Sequence, residues 1–131
     1  MPEYDANLLS PPAPLAHVLL RNRDTGAAWA DVPMLIDSGA DVTLVPRAAL
    51  GHLGATAAPD RRYELVAFDG RTSEAEIVIL ELVFCRRTFR GQFVLADQAY
   101  GVLGRNILNA VPLLLDGPRL AWTEHLAAPS P

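Results

Sequence analysis

Turn chemistry interrupts every apolar run in this chain before it reaches the length of a long helix. Asp24-Thr25-Gly26, Asp37-Ser38-Gly39, Asp69-Gly70 and Asp116-Gly117-Pro118 sit between short stretches of leucine, valine, isoleucine and aromatic residues. Short stretches bounded in this way read as strands joined by hairpins. A further barrier is Ser10-Pro11-Pro12-Ala13-Pro14, where three prolines fix φ and remove backbone donors, so neither helix nor central strand is expected there. Residues 1–14 are therefore expected to form an arm or a sheet edge.

The segments between the turns are assigned as follows. Leu15 to Arg21 and Ala28 to Val32 read as a hairpin, continuing through Pro33 into a short buried strand, Met34-Leu35-Ile36. Pro46 is a suitable first residue for a two-turn helix that Gly51 or Gly54 would stop. Tyr63 to Phe68 and Ala75 to Phe84 flank Asp69-Gly70, a strong hairpin pair, and give a long hairpin with an exposed tip. Another hairpin is expected around Arg86-Arg87, with Cys85 as a buried strand residue. Gly104 opens a short helix, Arg105 to Ala110, that Pro112 stops, and Leu113-Leu114-Leu115 is expected to pair with Leu120-Ala121-Trp122. Roughly eight short strands against two short helices predict an all-β domain, mostly antiparallel and closed on itself like a barrel.

With 131 residues, half of them hydrophobic, one domain can bury a core without metal or disulfide. We place that domain at 15–126 and expect a disordered tail at 127–131. The opening Met1 and the proline-rich end suggest a whole chain instead of a piece of a longer one. Fifteen acidic residues against eleven arginines give a formal charge of -4, which offers no field for nucleic acid phosphates. Cys85 is the only cysteine, so no internal disulfide forms and a cytoplasmic location is expected. No stretch reaches the ~18 apolar residues of a membrane span, so no membrane partner is expected. The three histidines show no metal-ligand spacing, and no serine sits in a Gly-x-Ser-x-Gly setting. Neither a metal nor any other cofactor is expected.

Two segments carry the chemistry. In Leu35-Ile36-Asp37-Ser38-Gly39-Ala40-Asp41-Val42-Thr43, a carboxylate follows directly on a buried strand and precedes a small hydroxyl residue and a glycine. That order places Asp37 on a tight loop whose backbone a substrate can approach. About sixty residues later, Val102-Leu103-Gly104-Arg105-Asn106-Ile107-Leu108 reads as a strand entering a short helix that would pack beneath the loop.

Together these segments resemble the retropepsin family of aspartic proteases, over roughly residues 15 to 122. The resemblance implies a homodimer in which each subunit supplies one lobe and one Asp37 to a shared dyad, acting as an endopeptidase on an extended protein or peptide. It further implies that Ser38 bonds across the twofold seam, that Gly39 keeps the loop open, and that Asp41 and Arg105 form an ion pair tying loop to helix. Ala40, Thr43, Gly104 and Asn106 belong to the same support. Phe68, Asp69, Gly70 and Arg71 would form a flap over the substrate. The expected Pro46–Leu53 helix departs from the viral members, and Asn106 departs from many cellular ones, in which an acid often stands at that place. On balance the sequence is more similar to bacterial or cellular retropepsin-like domains than to viral enzymes. A catalytically silent dimerisation or peptide-binding module on the same fold is the alternative, because fold does not establish activity.

Overall fold

The computed structural model describes residues 2–67 and 69–126; the tail expected at 127–131 lies outside them. In chain order the elements are β1 (Tyr4–Asp5), β2 (Ala13–Arg21), β3 (Ala28–Ile36), β4 (Leu44–Pro46), α1 (Ala49–Leu53), β5 (Arg62–Val66), β6 (Thr72–Phe84), β7 (Arg87–Ala96), β8 (Gly101–Leu103), α2 (Arg105–Leu108), β9 (Leu113–Asp116) and β10 (Ala121–Glu124). Strands β2, β3, β8, β4, β7 and β6 pair in that order, and β6 pairs back onto β2, so the sheet closes into a barrel. Closure leaves only β1 and β5 as edges of this sheet, hung on β2 and β6, which limits exposed strand backbone.

The fold is all-β with two short helices, as expected, but two pairings within it are parallel. β3 runs parallel to β8 and β4 parallel to β7, while β4 and β8 are antiparallel. β8 is thus threaded between the strand that enters the Asp37 loop and the strand that leaves it. Parallel neighbours cannot be joined by a tight turn, and this placement needs contacts distant in sequence.

Alternation packs the barrel. In β3, Val32, Met34 and Ile36 face the core, and the expected hairpin arm and short buried strand are one element. It stays continuous because a bulge falls before Val32: Trp29 pairs with Leu20 and Val32 with Val18, and Asp31 takes φ 56°. An extra residue of this kind re-aims the side chains that follow. Leu20, Leu82 and Leu103 are fully buried in the same cluster, and Trp122 packs on Phe84 while its indole Nε1 donates to the Leu15 carbonyl at 3.1 Å. Trp29 instead stacks on His52, with ring centroids 4.1 Å apart.

Glu81 is a buried carboxylate at the barrel's closure. It lies opposite Arg21 of β2 and Arg90 of β7 in the strand registers and is ion-paired to both, to Arg21 Nε at 2.8 Å. The Arg21 bond holds the Glu81 carboxyl below the usual carboxylate range against the opposing effect of burial, and Arg90 adds to it. Its second and third strand partners are thereby pinned by one acid.

Several boundaries differ from expectation. Strand β2 begins at Ala13, inside the proline-rich segment, and β1 pairs with it there. Pro46 belongs to β4 and pairs with Ala96, so α1 starts only at Ala49 and ends at Gly54. Cys85 is a turn residue, not a buried strand residue: Phe84 pairs with Arg87, leaving Cys85 and Arg86 as a two-residue hairpin loop with φ 51° and 62°. Two positive φ values are what such a turn requires, and neither residue type advertises them. The Asp69-Gly70 pair is not a two-residue turn between paired strands, because the ladder closes at Val66 opposite Thr72.

Candidate active site

Asp37 stands at the end of β3, half-buried, and its backbone N–H donates to the Leu103 carbonyl at 3.1 Å. That bond continues the parallel β3–β8 ladder by one residue and fixes where the loop begins. The Gly39 N–H donates to Asp37 Oδ1 at 2.9 Å, which orients the carboxylate, and the Ala40 N–H closes the turn onto the Asp37 carbonyl at 3.2 Å. A Cβ at Gly39 would lie 3.0 Å from Asp37 Oδ1, so a side chain there would crowd the carboxylate. Ser38 and Gly39 are exposed at the loop's apex.

Beneath the loop lies the β8–α2 junction. The Arg105 N–H donates to the Ala40 carbonyl at 2.8 Å. Thr43, 1% exposed, has a hydroxyl that accepts from the Gly104 N–H at 3.1 Å and donates to Asn106 Oδ1 at 2.7 Å. One hydroxyl therefore satisfies a buried donor and a helix side chain together. A Cβ at Gly104 would collide with the Val42 carbonyl and lie 3.0 Å from the Ala40 oxygen, so only glycine lets α2 start this close to the loop.

The structure brings Asp37, Ser38, Gly39, Ala40, Thr43, Gly104, Arg105 and Asn106 into one hydrogen-bonded unit. It does not bring Asp41 into it. No ion pair joins Asp41 to Arg105 among the described residues. Arg105 Nη1 instead donates to the Ser38 carbonyl at 2.8 Å. Both Asp41 and Arg105 are exposed, and an acid solvated by water gains little from a neighbouring cation, so the guanidinium serves the loop backbone.

The expected flap is the β5–β6 hairpin, most of whose residues before Ile77 are exposed or half-buried. Phe68 lies outside the described residues. At the tip, Asp69 accepts from the Arg71 backbone N–H at 3.0 Å and from Arg71 Nε at 2.6 Å, and these two bonds, the backbone one foremost, hold its carboxyl below the usual range. At the hairpin's base, Arg47 donates to Asp97 at 2.6 Å and to Glu76 at 2.8 Å, connecting the segment after β4 to the flap strand. Arg47 did not emerge from the sequence, because its partners are distant and no spacing marks them. Gly101, where an added Cβ would collide with the Met34 sulfur and the Leu44 carbonyl, was not singled out in the sequence either.

The chain is similar to EIAV protease solved with the inhibitor HBY-793, at a TM-score of 0.55 and 22% identity, covering 81% of this chain and 92% of that one. The fold is retropepsin-like. A second retropepsin neighbour is the simian foamy virus (mac) protease, at a TM-score of 0.50 and 17% identity, covering 72% of this chain and 91% of that one. No protein-family model and no curated protein matches the sequence. Among the described residues no helix is long and apolar enough to cross a membrane.

Proposed function

We propose that this chain is an aspartic endopeptidase that works as a homodimer, with Asp37 of each subunit forming a shared dyad. The observation that carries the reading is the Asp37 carboxylate itself, oriented by the Gly39 N–H on a loop whose apex is exposed. A single carboxylate in water is a weak base and no useful acid at once. Two held about 3 Å apart cannot both ionise, so they share one proton and supply base and acid together. The ionised member would take a proton from a water lying between them as it attacks the peptide carbonyl. The protonated member would stabilise the oxyanion and pass a proton toward the leaving nitrogen. Ser38, at the apex, is the residue placed to meet the second loop, and the flap residues 68–71 would close over an extended substrate.

The termini support a second copy. Among the described residues β9 pairs only with β10, in a sheet of two strands, and Leu114 and Leu115, successive residues of β9, are both about half exposed. The far side of β10 is already taken by the N-terminal arm, through the Trp122 N–H to the Pro2 carbonyl and the Tyr4 N–H to the Leu120 carbonyl. An unguarded apolar edge on a two-stranded sheet calls for a covering strand. A cytoplasmic setting, suggested by the lone cysteine, is part of the same proposal.

The test is cleavage of a mixed peptide library by the chain and by Asp37→Asn, from roughly pH 4 to pH 7, with product termini read by mass spectrometry and size checked for both. The expected result is cleavage by the first, strongest on the acid side of neutral, and none by an equally dimeric Asp37→Asn. Two dimeric samples that leave the library intact would favour the silent binding module, and equal cleavage by both would remove Asp37 from the chemistry.

A further inference from the structure

The ladder between β6 and β7 ends at Ile77 opposite Val94. Beyond it the two strands part, β6 running on into the flap and β7 toward β8. In this fork lies a cavity of about 440 Å³, between the flap base and the strand that leaves the candidate loop. Its apolar lining residues are Leu44, Leu65, Ala75, Leu95 and Ala96, the last two of them buried. Leu44 opens β4, a few residues after Asp37 in the sequence, and pairs with Val102 of β8, so the cavity continues from the loop's own exit strand.

Around this apolar surface the charges do not balance. Glu74, Glu76 and Asp97 stand against one cation, Arg47, and Arg47 is already bound to two of the three. Glu74 makes no ion pair among the described residues, and in the flap ladder it lies directly opposite another acid, Glu64. Like charges facing across a ladder oppose each other, so this hairpin carries a repulsion that a bound cation relieves. Asp97, which also lines the fork, has a side chain 79% exposed and gives one of its carboxylate oxygens to Arg47, which leaves the other open to a ligand.

We propose that this fork is a specificity subsite selecting a long basic side chain, arginine or lysine, in the peptide substrate. The proposal rests on the peptidase reading for its ligand class and adds which residue that ligand carries. The aliphatic stem lies along Leu44 and the flap base, and the cationic head reaches Glu74 and the free oxygen of Asp97. Arginine and lysine suit such a site because their stems are apolar while their heads seek water or carboxylate. An acidic side chain meets two unneutralised charges and is rejected. A purely aliphatic one covers the floor but leaves the repulsion in place.

The experiment reads binding, so that it is separate from cleavage. Fluorescent octapeptides of one apolar parent sequence carry arginine, norleucine or glutamate at each position in turn, and their affinity for the full chain bearing Asp37→Asn is measured by anisotropy at low and high salt. At one position arginine is expected to bind about three- to tenfold tighter than norleucine at low salt, and glutamate more weakly than either. Adding Glu74→Gln should reduce the arginine-to-norleucine ratio, and Glu74→Arg should turn the preference toward glutamate at that same position, a gain that a misfolded flap cannot produce. Equal binding of arginine and norleucine peptides, a ratio indifferent to both substitutions, or no binding of any peptide would overturn the subsite. Cleavage of the same peptides by the unsubstituted chain is a separate readout: binding with this preference but without cleavage leaves the subsite standing and removes the peptidase reading, and the reverse pattern does the opposite.

Discussion

The Asp37 loop and the β5–β6 flap are both excursions from the same barrel, yet they are held in opposite ways. The loop is fixed by backbone bonds from Asp37 to Leu103, Ala40 to Asp37 and Arg105 to Ala40, with Thr43 bonded beneath it on two sides. The flap has its own ladder and an exposed Asp69–Arg71 pair at its tip, and it meets the body chiefly at Arg47. Elements with few buried contacts open at low free-energy cost, and lids are drawn from them. A carboxylate meant to meet a symmetry mate must instead be placed to within a fraction of an ångström. Rigidity at the floor and freedom at the lid are thus written in the number of long-range bonds each receives.

Substitutions can break that contrast. The largest effect is expected at Gly104→Ala, where the new methyl would overlap the Val42 carbonyl; backbone must move, and a loss of about 3 kcal/mol or more in urea unfolding is predicted. Next is Thr43→Val, which keeps the shape but leaves the buried Gly104 N–H without its acceptor. A cost of about 1–3 kcal/mol is expected, and activity should fall beyond what the remaining folded fraction explains. The smallest belongs to the flap. Asp69→Asn should leave the urea unfolding midpoint nearly unchanged, while hydrogen exchange at Gly70 and Arg71 accelerates. Because the Asp69 carboxyl is lowered in the folded chain, its contribution is whole above the ordinary carboxylate range and is lost as pH falls through the lowered value. Protection of the tip amides in the unsubstituted chain, taken relative to intrinsic exchange at the same pH, should therefore fall in strong acid and match that of Asp69→Asn there. A flap substitution as costly as Gly104→Ala would erase the distinction between the two regions.

What could be read from sequence divides along the same line. Asp37-Ser38-Gly39, the hairpin pairs and the glycine opening α2 were legible because each is a local response to residue type. The threading of β8 between β3 and β4 was not, since Val102 and Leu103 read as any apolar pair until Gly101 and Gly104 are seen against Met34, Leu44 and Val42. Arg105 was matched to the wrong partner: sequence shows an acid at Asp41 but not that the Ser38 carbonyl turns toward the helix. The turn expected around Arg86-Arg87 falls one residue earlier, at Cys85-Arg86, for a different reason. The long β6–β7 ladder imposes positive φ on residues that would not choose it, tertiary pairing overriding local preference.

Mixing subunits is the most direct test of a dyad shared across a twofold. Unsubstituted chain and Asp37→Asn chain are combined at constant total concentration, allowed to exchange, and assayed for cleavage as the fraction of unsubstituted chain is varied. If each site needs one Asp37 from each subunit, activity follows the square of that fraction, so an equal mixture retains about one quarter of full activity. A linear dependence, with half the activity at equal mixing, would mean that each chain acts through its own Asp37, and about three quarters would mean that one Asp37 per dimer suffices; either would contradict the shared dyad.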